Sequence, residues 1–141
     1  MNDQVSDFAR SMGIAASGLK AQAGRMRVIS ENIANADSTA KTPGGDPYRR
    51  KVPTFSSELD RTLDARVVAL GRVRPDNSAF RIRNEPGNPA ADANGNVKYP
   101  NVNSVVEMTD LREAQRSYES NLNVIGATRR MIQRTLDILK A

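Results

Sequence analysis

The chain has no cysteine, no histidine and no tryptophan, and aromatic residues make up only 4% of it. Without cysteine and histidine there are no thiol nucleophiles, no Cys/His zinc sites and no Ser-His-Asp triad, and the usual general base near neutral pH is missing. There is no disulfide framework either, which suits a cytosolic protein and a disulfide-free extracytoplasmic one equally. No run approaches the roughly 18 apolar residues of a membrane span. The start, "MNDQVSDFARSMG", has an acidic opening and no apolar stretch, so it does not read as a cleavable secretory signal. With 141 residues and 38% hydrophobic content, the chain has the length of one domain but little to bury. That balance predicts partial disorder or folding that depends on partners.

The formal charge is +5, from 21 basic and 16 acidic residues. The excess is central: 11 against 8 in residues 37–103, 4 against 3 before them and 6 against 5 after. No basic stripe with stacking aromatics occurs, so nucleic-acid binding rests on charge alone. The acidic pairs Asp60/Asp64 and Glu107/Asp110 have helix-face spacing; a paired-carboxylate site would need a pocket and an activating neighbour, and solvated helix faces explain both. "DANGN" (92–96) starts like a calcium loop, yet its glycine is misplaced and no glutamate closes it. "TPGGDP" lacks the Gly-Lys-Ser/Thr of a phosphate-binding loop. Arg49-Arg50-Lys51 reads as a solvated or interface patch. No catalytic, cofactor or metal site is predicted.

Proline placement organises the chain. All seven prolines lie between Pro43 and Pro100, leaving helix-permissive arms of 36 and 38 residues at the two ends. The first arm repeats apolar or small residues at 4-3 spacing: Phe8, Met12, Ala15, Leu19, Gln22, Met26, Ile29, Ile33, Ala36. Ser6 or Asp7 could cap its start. The last arm has the series Met108, Leu111, Gln115, Tyr118, Leu122, Ile125, Arg129, Ile132, Leu136, Leu139, with Asn103 or Ser104 as cap and Glu107 at capping-box spacing from Ser104. The two seams could bury each other in a hairpin, but apolar residues off the seam (Ile14, Val28, Val124, Ile138) favour packing against other chains. Gly13, Gly18, Gly24 and Gly126 weaken the helices, each by about 1 kcal/mol. Close packing and a helix formed only on assembly both explain them.

The centre reads as β and turn. Strands are expected in 65–73, 78–84 and 96–100, with Asn94-Gly95 as a two-residue hairpin signal and Pro75-Asp76-Asn77 as a turn. Residues 56–65 could form a short helix. The expected fold is α+β: long terminal helices (1–36 and 104–141) in a coiled-coil-like bundle, an expanded loop (37–53) and a small β-rich insert (54–103), with ends ordered on assembly.

Two long stretches carry a resemblance. "SGLKAQAGRMRVISENIANADST" (17–39) and "EMTDLREAQRSYESNLNVI" (107–125) resemble the terminal helices of the flagellar axial proteins, the rod and hook subunits. The expanded turn "DSTAKTPGGDPYRRK", the segment "YPNVNSVVEMTDL" and "NPAADANGNV" are similar to the proximal-rod branch, where hook and distal-rod members have a short "TPGY". The match covers both ends and most of the second half; in 54–85 only length and character agree. The resemblance implies a non-enzymatic subunit that leaves through the flagellar type III export apparatus without a cleaved signal. It implies helical polymerisation in the periplasmic rod, which transmits torque from motor to hook and filament. The implied partners are further copies, proximal and distal rod subunits, the adaptor to the MS ring and the surrounding rings, with no membrane insertion. Carried onto this chain, the motif residues are Asn32, Asn35, Tyr48, Arg49, Arg50, Asn101 and Asn103. The implied interface residues are Phe8, Met12, Leu19, Met26, Ile29 and Ile33 on the first helix, and Met108, Leu111, Tyr118, Leu122, Ile125, Ile132, Leu136 and Leu139 on the second. The competing reading is a coiled-coil adaptor or export chaperone that uses the same seams.

Overall fold

The computed structural model describes residues 2–140, with side chains from Asp7 to Lys140. Two long helices enclose six short strands: α1 (Asn2–Ala34), β1 (Lys51–Val52), β2 (Phe55–Asp60), β3 (Ala65–Leu70), β4 (Arg74–Pro75), β5 (Arg81–Asn84), β6 (Asn96–Tyr99) and α2 (Ser104–Lys140). The class is α+β, as expected. The helix α1 starts ahead of Ser6 and Asp7, so neither caps it; both lie inside its first turns. The strands form three antiparallel pairs: β1 with β4, β2 with β3, and β5 with β6. The chain sorts into two compact units, and each helix contributes to both.

The first unit takes α1 as far as Met26, residues 54–72 and α2 from Glu113. Within it the helices run antiparallel: Gly18 faces Asn121, and Arg25 pairs with Glu113 at 3.6 Å. Residues 56–65 are not a helix. They lie in the β2–β3 hairpin, whose register runs from Phe55↔Leu70 to Asp60↔Ala65. Three features select the hairpin. Val67 and Val68 of β3 favour an extended strand, and Phe55 and Leu70 pair across its open end. The Asp60 carboxylate accepts the N–H groups of Thr62 (2.8 Å) and Leu63 (3.2 Å). Asp64 takes the left-handed φ of 46° that Asp tolerates. At the hairpin base, Gly71 N–H donates to Thr54 O at 2.7 Å.

The hairpin is seated on α1 where the helix lacks side chains. Leu63, at the tip, lies over Gly13, and a Cβ there would collide with it. Arg10 Nε donates to Leu63 O at 2.9 Å. Leu70 lies over Gly24, where a Cβ would come within 2.7 Å of Leu70 Cδ2. At Gly18 the same atom would come within 2.7 Å of Asn121 Nδ2. Of the two explanations for these glycines, close packing is the one the geometry supports.

The second unit takes residues 27–53 and 73–112. Asn35 closes α1: its Nδ2 donates to Glu31 O at 2.8 Å, and its own carbonyl accepts from Ser38 N and Oγ. The loop that follows packs Ala40 against the small core of Ala90, Val97 and Tyr99. Gly44, with φ of 66°, donates its N–H to Ala90 O. Lys98 holds Asp46 at 2.8 Å. The β5–β6 hairpin is not closed by a two-residue turn at Asn94-Gly95. Residues 85–95 connect its strands, because Asp92 and Asn88 each organise a local turn inside the connection. The Pro75-Asp76-Asn77 stretch likewise joins no hairpin; β4 pairs back to β1.

Candidate functional site

The polar residues of the motif converge in the second unit on one buried cluster. Asn32, fully buried on the last turns of α1, uses its whole hydrogen-bonding capacity. Its Nδ2 donates to Lys51 O (2.8 Å) and Glu107 Oε2 (3.0 Å). Its Oδ1 accepts from Tyr48 Oη (2.9 Å) and Lys51 N (2.9 Å). Glu107 is also fully buried, and its other oxygen accepts from Arg50 Nε at 2.6 Å. Arg50 reaches Asp76 Oδ2 at 3.4 Å, while the backbone N–H of Asp76 donates to Arg50 O at 2.8 Å. Asn101 ties the same strand down: its Oδ1 accepts from Arg50 N (2.8 Å) and its Nδ2 donates to Asp76 O (3.0 Å) and Ser78 Oγ (2.8 Å). Lys51 Nζ pairs with Glu31.

Of Arg49-Arg50-Lys51, Arg50 is drawn into the cluster, while Lys51 keeps 41% of its side chain exposed. Arg49 stacks its guanidinium 4.2 Å from the Phe80 ring centroid and donates to Asp76 O at 3.1 Å. Asn103 caps α2, its Oδ1 accepting from Val105 N at 3.1 Å. The expected Ser104/Glu107 capping box is replaced by Glu107's long-range partners, since Arg50 and Asn32 outcompete a neutral backbone donor for a buried carboxylate. Asn35 and Asn103 of the motif set act locally, each at a helix end.

The charges follow this geometry. Burial lowers the Arg50 pKa, but the hydrogen bond and charge of Glu107 outweigh it, with Asp76 adding, so the net shift is upward. Asp76 is held below its ordinary value, first by the Ser78 N–H and hydroxyl and then by Arg50. Tyr48 is pushed up to about 12 by burial, then by Glu31 and Glu107. A folded-state pKa above the unfolded value favours folding while the phenol is protonated. This contribution is intact below about pH 10 and lost as pH rises toward about 12. Tyr48→Phe should remove that component of alkaline unfolding and lower stability near neutral pH by about 0.5–1.5 kcal/mol, the net value of one hydrogen bond. Urea denaturation across the alkaline range measures both effects; an unchanged pH profile would refute the assignment.

The apolar series are placed differently from one another. On α1, Ile29 is buried, while Phe8, Met12, Leu19, Met26 and Ile33 are half-buried. On α2, Leu111, Tyr118, Ile125 and Ile132 are half-buried, and Met108, Leu122, Leu136 and Leu139 are exposed. The buried heptad line of α2 is another one: Glu107, Ala114 and Thr128, with half-buried Asn121 between them. The two long seams thus do not bury each other as a simple hairpin. In the first unit, small and polar residues fill the contact (Ala15, Gly18 and Ala21 on α1; Ala114 and Thr128 on α2).

Leu19 and Met26 follow the contact positions Gly18 and Arg25 by one residue, about 100° of turn, and Leu122 follows Asn121 likewise. In an antiparallel pair these rotations point to the same side, so the two apolar series border one flank. The other flank carries an open groove of about 390 Å³ lined by Asp7, Arg10, Ser11, Ile14, Ala15, Asn121 and Val124. Glu107, Asp76 and Ser78 are the residues of the cluster that sequence reasoning missed. The one available signal was the seven-residue spacing of Glu107, Ala114, Asn121 and Thr128.

Comparison with known proteins adds a family. The family model "Flagella basal body rod protein" matches residues 12–40, and "Flagellar basal body rod FlgEFG protein C-terminal" matches residues 93–138. The chain is similar to the flagellar basal-body rod protein FlgC of Agrobacterium fabrum, at 55% identity over 128 residues, covering 91% of this chain and 92% of that protein. It is 40% identical to the Salmonella typhimurium FlgC over 125 residues (89% and 92%) and 38% identical to the Bacillus subtilis FlgC over 145 residues (92% and 97%).

Proposed function

Because the chain belongs to the FlgC family of flagellar basal-body rod proteins, and is a structural rod subunit of the basal body, we infer that its exposed helix faces are the surfaces through which it polymerises in the proximal rod. The family is structural, and assembly with other rod and basal-body components comes with it. The observation that carries the finer reading is the inversion on α2. Its inward line is Glu107, Ala114 and Thr128, while Leu122, Val124, Met131, Leu136, Ile138 and Leu139 stay exposed. A helix that turns its large apolar residues outward is built for burial against another chain.

In this reading Phe8, Met12, Leu19, Met26 and Ile33 join Leu111, Tyr118, Ile125 and Ile132 in contacts with further copies and with neighbouring rod subunits, the MS-ring adaptor and the surrounding rings. Contacts between unlike surfaces that do not close generate a helical polymer. Packed helices of many subunits then carry torque from motor to hook and filament without a reactive group. The subunit reaches the periplasmic rod through the type III export apparatus. Within the second unit, the motif cluster around Asn32 and Glu107 ties the last turns of α1 to the first turn of α2.

The absence of native cysteine makes a direct test possible. Ile138, at 75% exposure, is replaced by cysteine and labelled with a maleimide. The free chain should react readily, and the same position in purified basal bodies should be protected. Equal labelling of both would refute burial of this helix end in the rod.

A further inference from the structure

Asn94 is the only asparagine in the chain followed by glycine. The other asparagines precede residues with side chains, which hinder attack by the next backbone nitrogen. The chemistry open to an Asn-Gly pair is self-contained. The Gly95 nitrogen attacks Asn94 Cγ, a C–N bond forms and ammonia leaves with the amide proton. Water then opens the resulting succinimide to aspartate or isoaspartate. The net change is one water consumed, one ammonia released and a new negative charge, with no cofactor and no oxidant.

The fold holds the backbone on which this reaction depends. The Gly95 N–H donates to Asp92 O at 3.0 Å, so the nucleophile is committed as a donor in a turn. Asp92 Oδ1 accepts from Asn94 N (2.8 Å) and Asn96 N (2.9 Å), fixing the backbone on both sides of the bond. The Asn84 amide reaches the carbonyls of Asn94 and Gly95, each at 3.4 Å, and Asn96 Oδ1 at 3.1 Å. Glu85 N donates to Gly95 O at 2.8 Å. Ring closure requires the Asn94–Gly95 peptide to turn and its nitrogen to shed the proton given to Asp92 O. Both movements break this set of bonds together. Gly95 itself sits at φ of 77°, the conformation that makes glycine the residue of choice here despite the chemical risk.

We propose that Asn94-Gly95 is a deamidation site that the folded connection between β5 and β6 keeps closed, so that it is modified in chains that are unfolded and spared in those that are folded. Aspartate at 94 would place a carboxylate beside Asp92. Isoaspartate would add a backbone carbon and break the register in which Glu85 meets Gly95. A modified chain would therefore be hindered from rebuilding the connection, and the reaction would mark chains that stay unfolded too long.

Trypsin releases residues 84–98 between Arg83 and Lys98, so one peptide reports the site. The full chain is aged at mildly alkaline pH, native and in urea, and the peptide is followed by mass and by isoaspartate methylation. The native rate should be roughly tenfold or more below the rate in urea, since reaction waits for local opening. Asp92→Ala, which removes the carboxylate on both flanking N–H groups, should raise the native rate and leave the rate in urea unchanged. Equal rates in the native and unfolded wild-type chain would overturn the lock. So would an Asp92→Ala chain that ages natively no faster than wild type. A peptide that stays unmodified in urea would overturn the site itself.

Discussion

Arg50→Ala should lower the unfolding free energy of the chain by about 3–5 kcal/mol, the usual cost of leaving one member of a buried pair behind. Glu107 has a side-chain exposure of 1%, and among the described residues Arg50, with Nε at 2.6 Å, is the cation on it. Removing the guanidinium also frees Asp76. A small domain is stable by about 5–15 kcal/mol, so such a loss takes a large share of the total. The double variant Arg50→Ala/Glu107→Gln should be less damaged than Arg50→Ala alone. The glutamine carbonyl can still accept from Asn32 Nδ2, and no orphan charge remains. Urea titration of the four chains (wild type, Arg50→Ala, Glu107→Gln and the double variant) separates this account from simple loss of packing: if the double variant equals the sum of the two single ones, the charge coupling is absent.

The second large effect is on assembly. Met131, Leu136, Ile138 and Leu139 are exposed on the last turns of α2, at 48%, 45%, 75% and 60%. Changing all four to glutamine keeps helix propensity nearly constant, and exposed sites away from special features usually move stability little, by about 0.5 kcal/mol each. Burial of such side chains against a neighbour is worth about 1.5–3 kcal/mol each, or about 6–12 kcal/mol together. The free chain should keep its helical content and melting behaviour, while incorporation into basal bodies and swimming are lost. Cells that swim normally with the quadruple variant would remove α2's end from the rod interface.

Much of the architecture was legible because proline is a strong local signal: its confinement to 43–100 leaves both ends of the chain free of it, and α1 and α2 form there. The motif asparagines could be found by resemblance, but their chemistry could not. Asn32 and Glu107 meet across 75 residues, and local rules offered Glu107 a nearer partner at Ser104. Residues 56–65 were ambiguous because their acids and leucines fit a helix, and only pairing with the valines of β3 decides for a strand. The heptads misled about the contact inside the chain for a different reason. A periodic apolar pattern reports that a face is to be buried, not what buries it. Gly18, Ala21, Ala114 and Thr128 are too small or too polar to register as a seam, yet they let the helices approach closely.

The Asn32 cluster has a consequence for the timing of folding. Its members come from positions 32, 48–51, 76 and 101–107, and each satisfies groups of at least one other. A chain emerging from the ribosome with its N-terminus first cannot complete the cluster until residue 107 is out. Until then Asn32 Nδ2 and Arg50 Nε lack their shared carboxylate partner, and the second unit lacks contacts that offset its loop-closure entropy. The carboxylate on the first turn of α2 is thus the last part of the cluster to be made, and the cluster can close only once the chain has reached it.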